Sequence, residues 1–337
     1  MKNVVLNIVV CILLSVFPLA AKSNSLTYSD SIEISLLTCS PGHEVWTQYG
    51  HTAIRYNDRA NHNDLVINYG MFSFAQSYFV PRFVLGLTDY HVGVSATEEM
   101  LYEYSYEGRG IIEQILNLSK EEKYQIFLAL QKNLLPENVV YRYNYFYDNC
   151  TTRAQHMLLD HLIGKTEYSF DSSKPLLSYR EMIHEWNKND VWTQFGEDVL
   201  LGLTADFSVE TKEKELFLPD NLRKYIEDAI HNGKPLVKRT SLILKPNKLT
   251  NVQSSLVSPI QIAFAFGVLA AFVLLIEYKI KKALWGWDFF LMSFSGVIGL
   301  LLFIMIFSHH PCVSINMIIF FFNPLALFLI PSVVKSI

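Results

Sequence analysis

Apolar residues crowd the two ends of this chain and alternate with polar ones in between. Val4–Leu19 is apolar apart from Asn7, Ser15 and Pro18, with Lys2 before it and Ala20-Ala21 after it. A basic start, a short apolar stretch and small residues at its end predict a secretory signal peptide over residues 1–21. The other end predicts membrane crossings. Leu249–Ile276, Phe289–Ser308 and Pro311–Val334 contain no Asp, Glu, Lys or Arg, and about 20 apolar residues cross a bilayer. Three transmembrane helices are expected within residues 249–337, near Pro259–Ile276, Phe289–Ser308 and Val313–Val334. Asn323-Pro324 interrupts the third, because proline removes a backbone donor. Lys279, Lys281 and Lys282 put the first connector in the cytoplasm, where Trp285 and Trp287 suit the interface. The second connector, Ser308–Ser314, has no Lys or Arg and belongs outside; Lys335 returns the C-terminus to the cytoplasm. Residues 22–248 then lie outside the membrane, in agreement with the signal peptide.

Between the apolar ends the period switches between two and 3.6. Ile32–Leu37, His51–Tyr56, Leu65–Tyr69, Tyr90–Ser95 and Gly110–Leu116 read as strands, the second and third forming a hairpin across the polar turn Asn57–Asn63. Glu44–Tyr49 and Glu98–Tyr106 read as helical. Ser119 followed by Glu122 is a capping signal for a helix through Leu134, stopped by Pro136. Asn144–Tyr147 reads as extended, and a helix runs from Cys150 towards Gly164. Helices are expected over Tyr179–Asn187, Val191–Leu203 and Asn221–Asn232, with a last strand over Pro235–Leu244. The fold class is α+β with an antiparallel sheet and a helical extension, followed by the membrane helices.

Composition narrows the function. Half of the residues are apolar, 18% are charged and the net charge is −4. No basic block could follow a phosphate backbone, so nucleic acid is excluded as a partner. Four cysteines are too few for a disulfide scaffold. No H-E-x-x-H, paired C-x-x-C, Walker or G-x-S-x-G pattern is present, so no metal and no cofactor is expected.

Thiol chemistry remains. Cys150 follows Asp148-Asn149 and opens a helix, whose unpaired N–H groups and dipole favour a thiolate and offer an oxyanion site. A thiolate nucleophile needs an imidazole partner within about 3 Å. His51, behind Gly50 at the start of a strand, is the candidate among His43, His62, His91, His156, His161, His184 and His231. Asn68, on the paired strand, can orient the ring; Asp89 and Asp148 are its rivals.

Three segments carry a resemblance: Leu37–Glu44 with Tyr49-Gly-His-Thr-Ala-Ile-Arg55, Ile67–Phe72, and Tyr143–Arg153 with its Asp-Asn-Cys-Thr-Thr-Arg. They resemble the Lnb-type exported domain of Bacteroidota, and Ser308-His-His-Pro-Cys312 with Asn316 and Asn323-Pro324 is similar to that family's membrane part. Met71 departs from the threonine common there. The resemblance implies a circularly permuted papain-like (NlpC-like) exported domain before the transmembrane bundle, with Cys150 as nucleophile and His51 as base. It implies a cysteine-dependent acyltransferase in the inner membrane, its catalytic domain in the periplasm. The partners it implies are a phospholipid acyl donor and the N-terminal cysteine of a lipoprotein as acceptor.

On the substrate side, Arg153 sits one helical turn from Cys150, placed to meet a phosphate head group or to pair with Glu44. Asn149 and Tyr69 are further candidate substrate contacts. Tyr143, Tyr145, Phe146 and Tyr147 line an acyl groove or pack a core. Cys39 and Cys312 are both outside and free to pair as a disulfide, and His309 and His310 share the outer loop with Cys312. Two rival functions use the same residues: a membrane-anchored cysteine peptidase or amidase acting on cell-wall peptide, and a non-enzymatic domain binding lipid or a partner.

Overall fold

The computed structural model describes residues 31–169, 173–247 and 255–335. The expected signal peptide, residues 1–21, lies outside them. The chain opens with an antiparallel meander of β1 (Ile32–Cys39), β2 (His51–Asp58) and β3 (Asn63–Met71). Glu44–Tyr49 supplies a single 3-10 turn, Val45–Thr47. A short helix, α1 (Phe79–Val84), precedes β4 (Asp89–Ala96). Next come α2 (Thr97–Tyr106), β5 (Ile111–Leu116), α3 (Lys120–Asn133) and a strand the pattern did not predict, β6 (Val140–Arg142). The remaining elements of the exported part are α4 (Cys150–Leu159), β7 (Thr166–Glu167), α5 (Tyr179–Asn187), α6 (Val191–Leu200), α7 (Pro219–Glu227), β8 (Ile230–His231), β9 (Lys234–Pro235) and β10 (Val237–Leu244).

Seven strands form the central sheet in the order β10-β5-β1-β2-β3-β4-β6, and every pairing is antiparallel. Side chains alternate between its faces. Ile34, Leu36, Ile54, Tyr56, Ile67 and Tyr69 point to one face and are covered by α3, α4 and α7. Leu37, Ala53 and Val66 point to the other, under Met100 and Tyr104 of α2. The expected capping box at Ser119 and Glu122 is present at the head of α3.

Two expectations change. Asn144–Tyr147 is a tight turn, closed by backbone bonds between Asn144 and Asp148, because Asn144 Oδ1 accepts from the N–H groups of Phe146 and Tyr147. The helix expected over Asn221–Asn232 stops at Glu227, and Ile230–His231 joins a small sheet instead. The last strand expected over Pro235–Leu244 is present as β10, which pairs with β5 and closes one edge of the central sheet.

α8 (Pro259–Ile280) and α9 (Trp285–Met305) are the two described helices long and apolar enough to cross a membrane. At 1.5 Å per residue each is about 32 Å long. The third expected span is not one helix. Residues 313–325 contain a 3-10 turn at Met317–Phe320, and the final helix, α10 (Ala326–Lys335), has 10 residues. Asn316 Oδ1 accepts from Ile318 N while its Nδ2 donates to Val199 O and Leu200 O at the end of α6, which ties the chain into a turn. Pro324 then has no N–H to continue a helix. α10 folds back along α9, with Leu327 over Gly296 and the Phe322–Pro324 backbone over Gly299. Irregular backbone at membrane depth is tolerated where protein covers it.

A third core is shared between the two parts of the molecule. Phe146, Tyr179, Met182, Phe217 and Leu218 of the exported part pack with Met305, Cys312 and Val313 from the outer end of α9 and the loop after it. A Cβ at Gly299 would lie 2.3 Å from Phe322 O, so Gly299→Val is expected to destabilise the protein by about 1–3 kcal/mol. Gly267→Val on α8, with nothing within 4 Å, is the control. Thermal unfolding of both in detergent tests this: the midpoint falls for the first and holds for the second.

Candidate active site

Cys150 is the first residue of α4, and Asn149 builds that helix start. Asn149 Oδ1 accepts from Thr151 N and Thr152 N at 2.8 and 2.9 Å, and Nδ2 donates to Tyr145 O and Phe217 O, both at 2.9 Å. A side-chain acceptor at this position satisfies N–H groups that have no helical partner. Two consequences depart from expectation. Asn149 has its polar atoms committed to the fold, which leaves none for substrate. The N–H groups of Thr151 and Thr152 are likewise taken, so they cannot hold an oxyanion.

His51 begins β2, next to the end of β1, and α4 packs across β2 and β3 so that its first residue reaches the same end of the sheet. His51 Nε2 lies 3.0 Å from Asn68 Oδ1 on β3. With Nε2–H donated to that amide, Nδ1 is the nitrogen left to meet the Cys150 thiol. Of the three contenders for orienting the ring, Asn68 is the one in contact. Asp89 pairs with Arg82 and Arg142, and Asp148 with Arg153. Other histidines lie elsewhere: His184 is paired with Asp198, His231 with Glu122 and His156 with Asp160.

The electrostatics match the geometry. Burial works to raise the Cys150 pKa, but the His51 charge, the His51 hydrogen bond, the Thr52 N–H and the Thr151 hydroxyl outweigh it and bring the thiol down to about 7. Burial works to lower the His51 pKa, and the Cys150 charge, its hydrogen bond and the Asn68 amide raise it overall. The pair therefore favours thiolate and imidazolium. Cys39 shows the opposite case: burial dominates and pushes its thiol up to about 12, although Arg109 and Tyr104 act against it.

Thr52 and Tyr143 are site residues that sequence reasoning did not assign to the thiol. The Tyr143 hydroxyl faces the Cys150 N–H, and its ring stacks on Tyr90 at 4.4 Å. Gly70, at φ +83°, makes room for both: a Cβ there would lie 3.1 Å from the Tyr143 ring and 3.8 Å from Cys150 Cβ. The signal available in the sequence was the glycine two residues after Asn68.

The remaining expected contacts are placed differently. Arg153 forms a two-pronged pair with Asp148, at 2.6 and 2.7 Å, and lies over the Tyr141 ring, so it does not pair with Glu44. Glu44 is exposed at the head of its 3-10 turn. Tyr69 is fully buried in the sheet core, its hydroxyl 3.4 Å from Asn133 Oδ1. Phe146 is packed between Tyr179 and Phe217, while Tyr145 donates to Pro311 O at 2.8 Å and the Tyr147 hydroxyl lies 3.4 Å from Cys312 Sγ. These rings join the domain to the membrane part. Cys39 and Cys312 are unpaired and sit in different cores.

Two family models match this arrangement of an exported domain and a membrane domain. Residues 23–185 match the Lnb N-terminal periplasmic domain, and residues 251–337 match the Lnb transmembrane domain. The chain belongs to the Lnb family. It is a membrane protein with a periplasmic N-terminal part, and Cys150, His51 and Asn68 all fall in the Lnb periplasmic domain. Searches of curated proteins and of solved structures each find no match.

Iodoacetamide alkylation of Cys150 should follow the thiolate and show its inflection near 7. His51→Ala removes the lowering charge and hydrogen bond and leaves burial, so the inflection moves up, past the ordinary thiol value; mass spectrometry of the modified peptide against pH reads it. Asn149→Ala should cost about 1–2 kcal/mol as a lost cap, measured by denaturant unfolding, and should slow alkylation by displacing the head of α4.

Proposed function

We propose that this Lnb protein is an acyltransferase in the inner membrane. It moves an acyl chain from a phospholipid to the N-terminal amine of a lipoprotein's S-diacylglyceryl-cysteine through a thioester on Cys150. One observation carries the reading: the turn that holds the thiol is bonded to the loop at the outer end of α9. The turn directly before Cys150 bonds through Tyr145 to Pro311 and contacts Cys312 through Tyr147, both in the loop at the outer end of α9. A nucleophile held there can reach ester carbonyls of a lipid, and a soluble thiol cannot without extracting the whole molecule. The helix-borne cysteine, the histidine on an adjacent strand and an asparagine on its Nε2 also support a permuted papain-like arrangement, with histidine before cysteine in the chain.

In the first step Cys150 Sγ attacks the ester carbonyl carbon. The C–S bond forms, the carbonyl oxygen takes the negative charge, and the Tyr143 hydroxyl, whose oxygen accepts from the Cys150 N–H, is the donor beside it. The ester C–O bond breaks, and the lysophospholipid oxygen takes the proton from His51. In the second step the neutral α-amine attacks the thioester and gives a proton to His51. The C–N bond forms and the C–S bond breaks, which returns thiolate and imidazolium. Asn68 holds the ring in one orientation through both steps. A shared covalent intermediate gives ping-pong kinetics.

The cell-wall hydrolase reading lacks an observation of this kind, since it gives no reason for the thiol to be tied to the outer loop. Incubation with phospholipid should leave a hydroxylamine-labile acyl mass on the Cys150 peptide. Intact lipoproteins from cells carrying Cys150→Ala should lack one acyl chain. Fully acylated lipoproteins alongside altered wall cross-links would replace this reading with the hydrolase.

A further inference from the structure

The chain between Asp64 and Arg82 has no charged residue. Its second half leaves the sheet at Met71 and forms a lobe with α1 that projects apolar side chains outward. Met71, Phe74, Tyr78, Val80 and Phe83 are all exposed, Val80 at 69% and Tyr78 at 81%. Tyr78 keeps this position with φ +56°, a left-handed conformation that costs energy in a residue with a side chain. A contiguous apolar surface of this kind marks an interaction site.

The position of the lobe identifies the partner. Ser308 Oγ donates to Val84 O at 2.8 Å, His309 N donates to Leu85 O at 2.9 Å, and His310 Nε2–H donates to Phe83 O at 2.6 Å. These residues follow the outer end of α9. The other outer end, at the start of α8, is bound to Trp192 of α6 through Ser255 Oγ and Val257 O. Two attachments therefore fix the height of the domain over the bilayer, and α1 lies at the level where α9 leaves it. Aromatic and aliphatic side chains at that level are stable among acyl chains and head groups.

The rings of the lobe also continue inward. Phe83 lies against Phe79 at 5.9 Å, Phe79 against Phe72 at 6.0 Å, Phe72 against Tyr90 at 5.2 Å and Tyr90 against Tyr143 at 4.4 Å. Tyr143 is the residue facing Cys150. We propose that residues 72–84 dip into the outer leaflet, and that this connected row of rings is the track along which one lipid acyl chain approaches Cys150. The track rests on the acyltransferase reading; the immersion does not.

Immersion is tested with an environment-sensitive NBD label on Val80→Cys in Cys150→Ala protein, in phosphatidylethanolamine/phosphatidylglycerol nanodiscs. Glu121→Cys at the exposed head of α3 is the control. Doxyl-labelled lipid should quench the label at position 80, and aqueous iodide should not; the control should behave in reverse. Iodide quenching at position 80 equal to that at 121 overturns immersion.

The track is tested by Cys150 acylation from two donors, dioleoyl phosphatidylethanolamine and the soluble ester p-nitrophenyl acetate. Phe79→Ser and the exposed-site variant Val80→Asp should each slow the lipid reaction about 10-fold and leave the soluble one unchanged. A lipid rate equal to wild type in both variants, or a soluble rate falling in step with it in both, overturns the track. Wild-type protein that takes acyl groups from neither donor removes the acyltransferase reading, while the NBD measurement still decides immersion.

Discussion

The Asn149 side chain holds the chemistry and the membrane in one frame. Its carbonyl caps the first turn of α4 and sets the direction of Cys150; its amide group grips Tyr145 and Phe217. Tyr145 in turn holds the outer loop at Pro311, and Phe217 belongs to the core shared with Met305, Cys312 and Val313. A buried side chain with every polar atom used fixes its neighbours, because losing any one bond leaves an unpaired group in a medium that cannot replace it. The position of sulfur relative to the outer end of α9 is therefore set by the fold.

Around this frame the sheet supplies the imidazole. His51 and Asn68 lie on neighbouring antiparallel strands, so their separation is set by ladder hydrogen bonds. The His51 ring has one nitrogen on Asn68 and the other towards Cys150. Buried together, the thiol and imidazole stabilise each other's charged form against the cost of desolvation. Cys39, also buried and opposite His51 on the neighbouring strand but not hydrogen-bonded to its ring, has its thiol pushed up by burial. Of the two buried thiols, the one hydrogen-bonded to the ring is brought down and the other is pushed up.

The membrane part contributes more than anchorage. α8 and α9 are long and apolar enough to span a membrane, while residues 313–325 form irregular backbone held by Asn316 against the end of α6. The exported core and the membrane loop share side chains, so the two parts bury apolar surface jointly. Such sharing restricts relative motion of domains far more than a linker does.

Much of the fold was legible in the sequence because period and capping are local. The strands at His51–Tyr56 and Leu65–Tyr69, the Ser119 cap and the start of the helix at Cys150 follow from alternation, turn residues and cap chemistry within a few positions. Cys150, His51 and Asn68 were identifiable as residue types in suitable elements. The hairpin already brought Asn68 to the His51 ring; the meeting of that pair with Cys150 was not legible locally, since it depends on α4 crossing β2 and β3. The errors share one cause. Asn149, Arg153 and Tyr69 looked available for substrate, yet partners remote from them or brought close only by folding use them: Phe217, the face of Tyr141, and the core under α3. Asn316 and Pro324 likewise converted an expected third span into a turn and a short helix. The sequence by itself determined which segments are apolar, where helices begin and which residue carries the thiol. Only the tertiary structure decided which polar atoms remain free, because hydrogen-bond partners distant in the chain are chosen by packing.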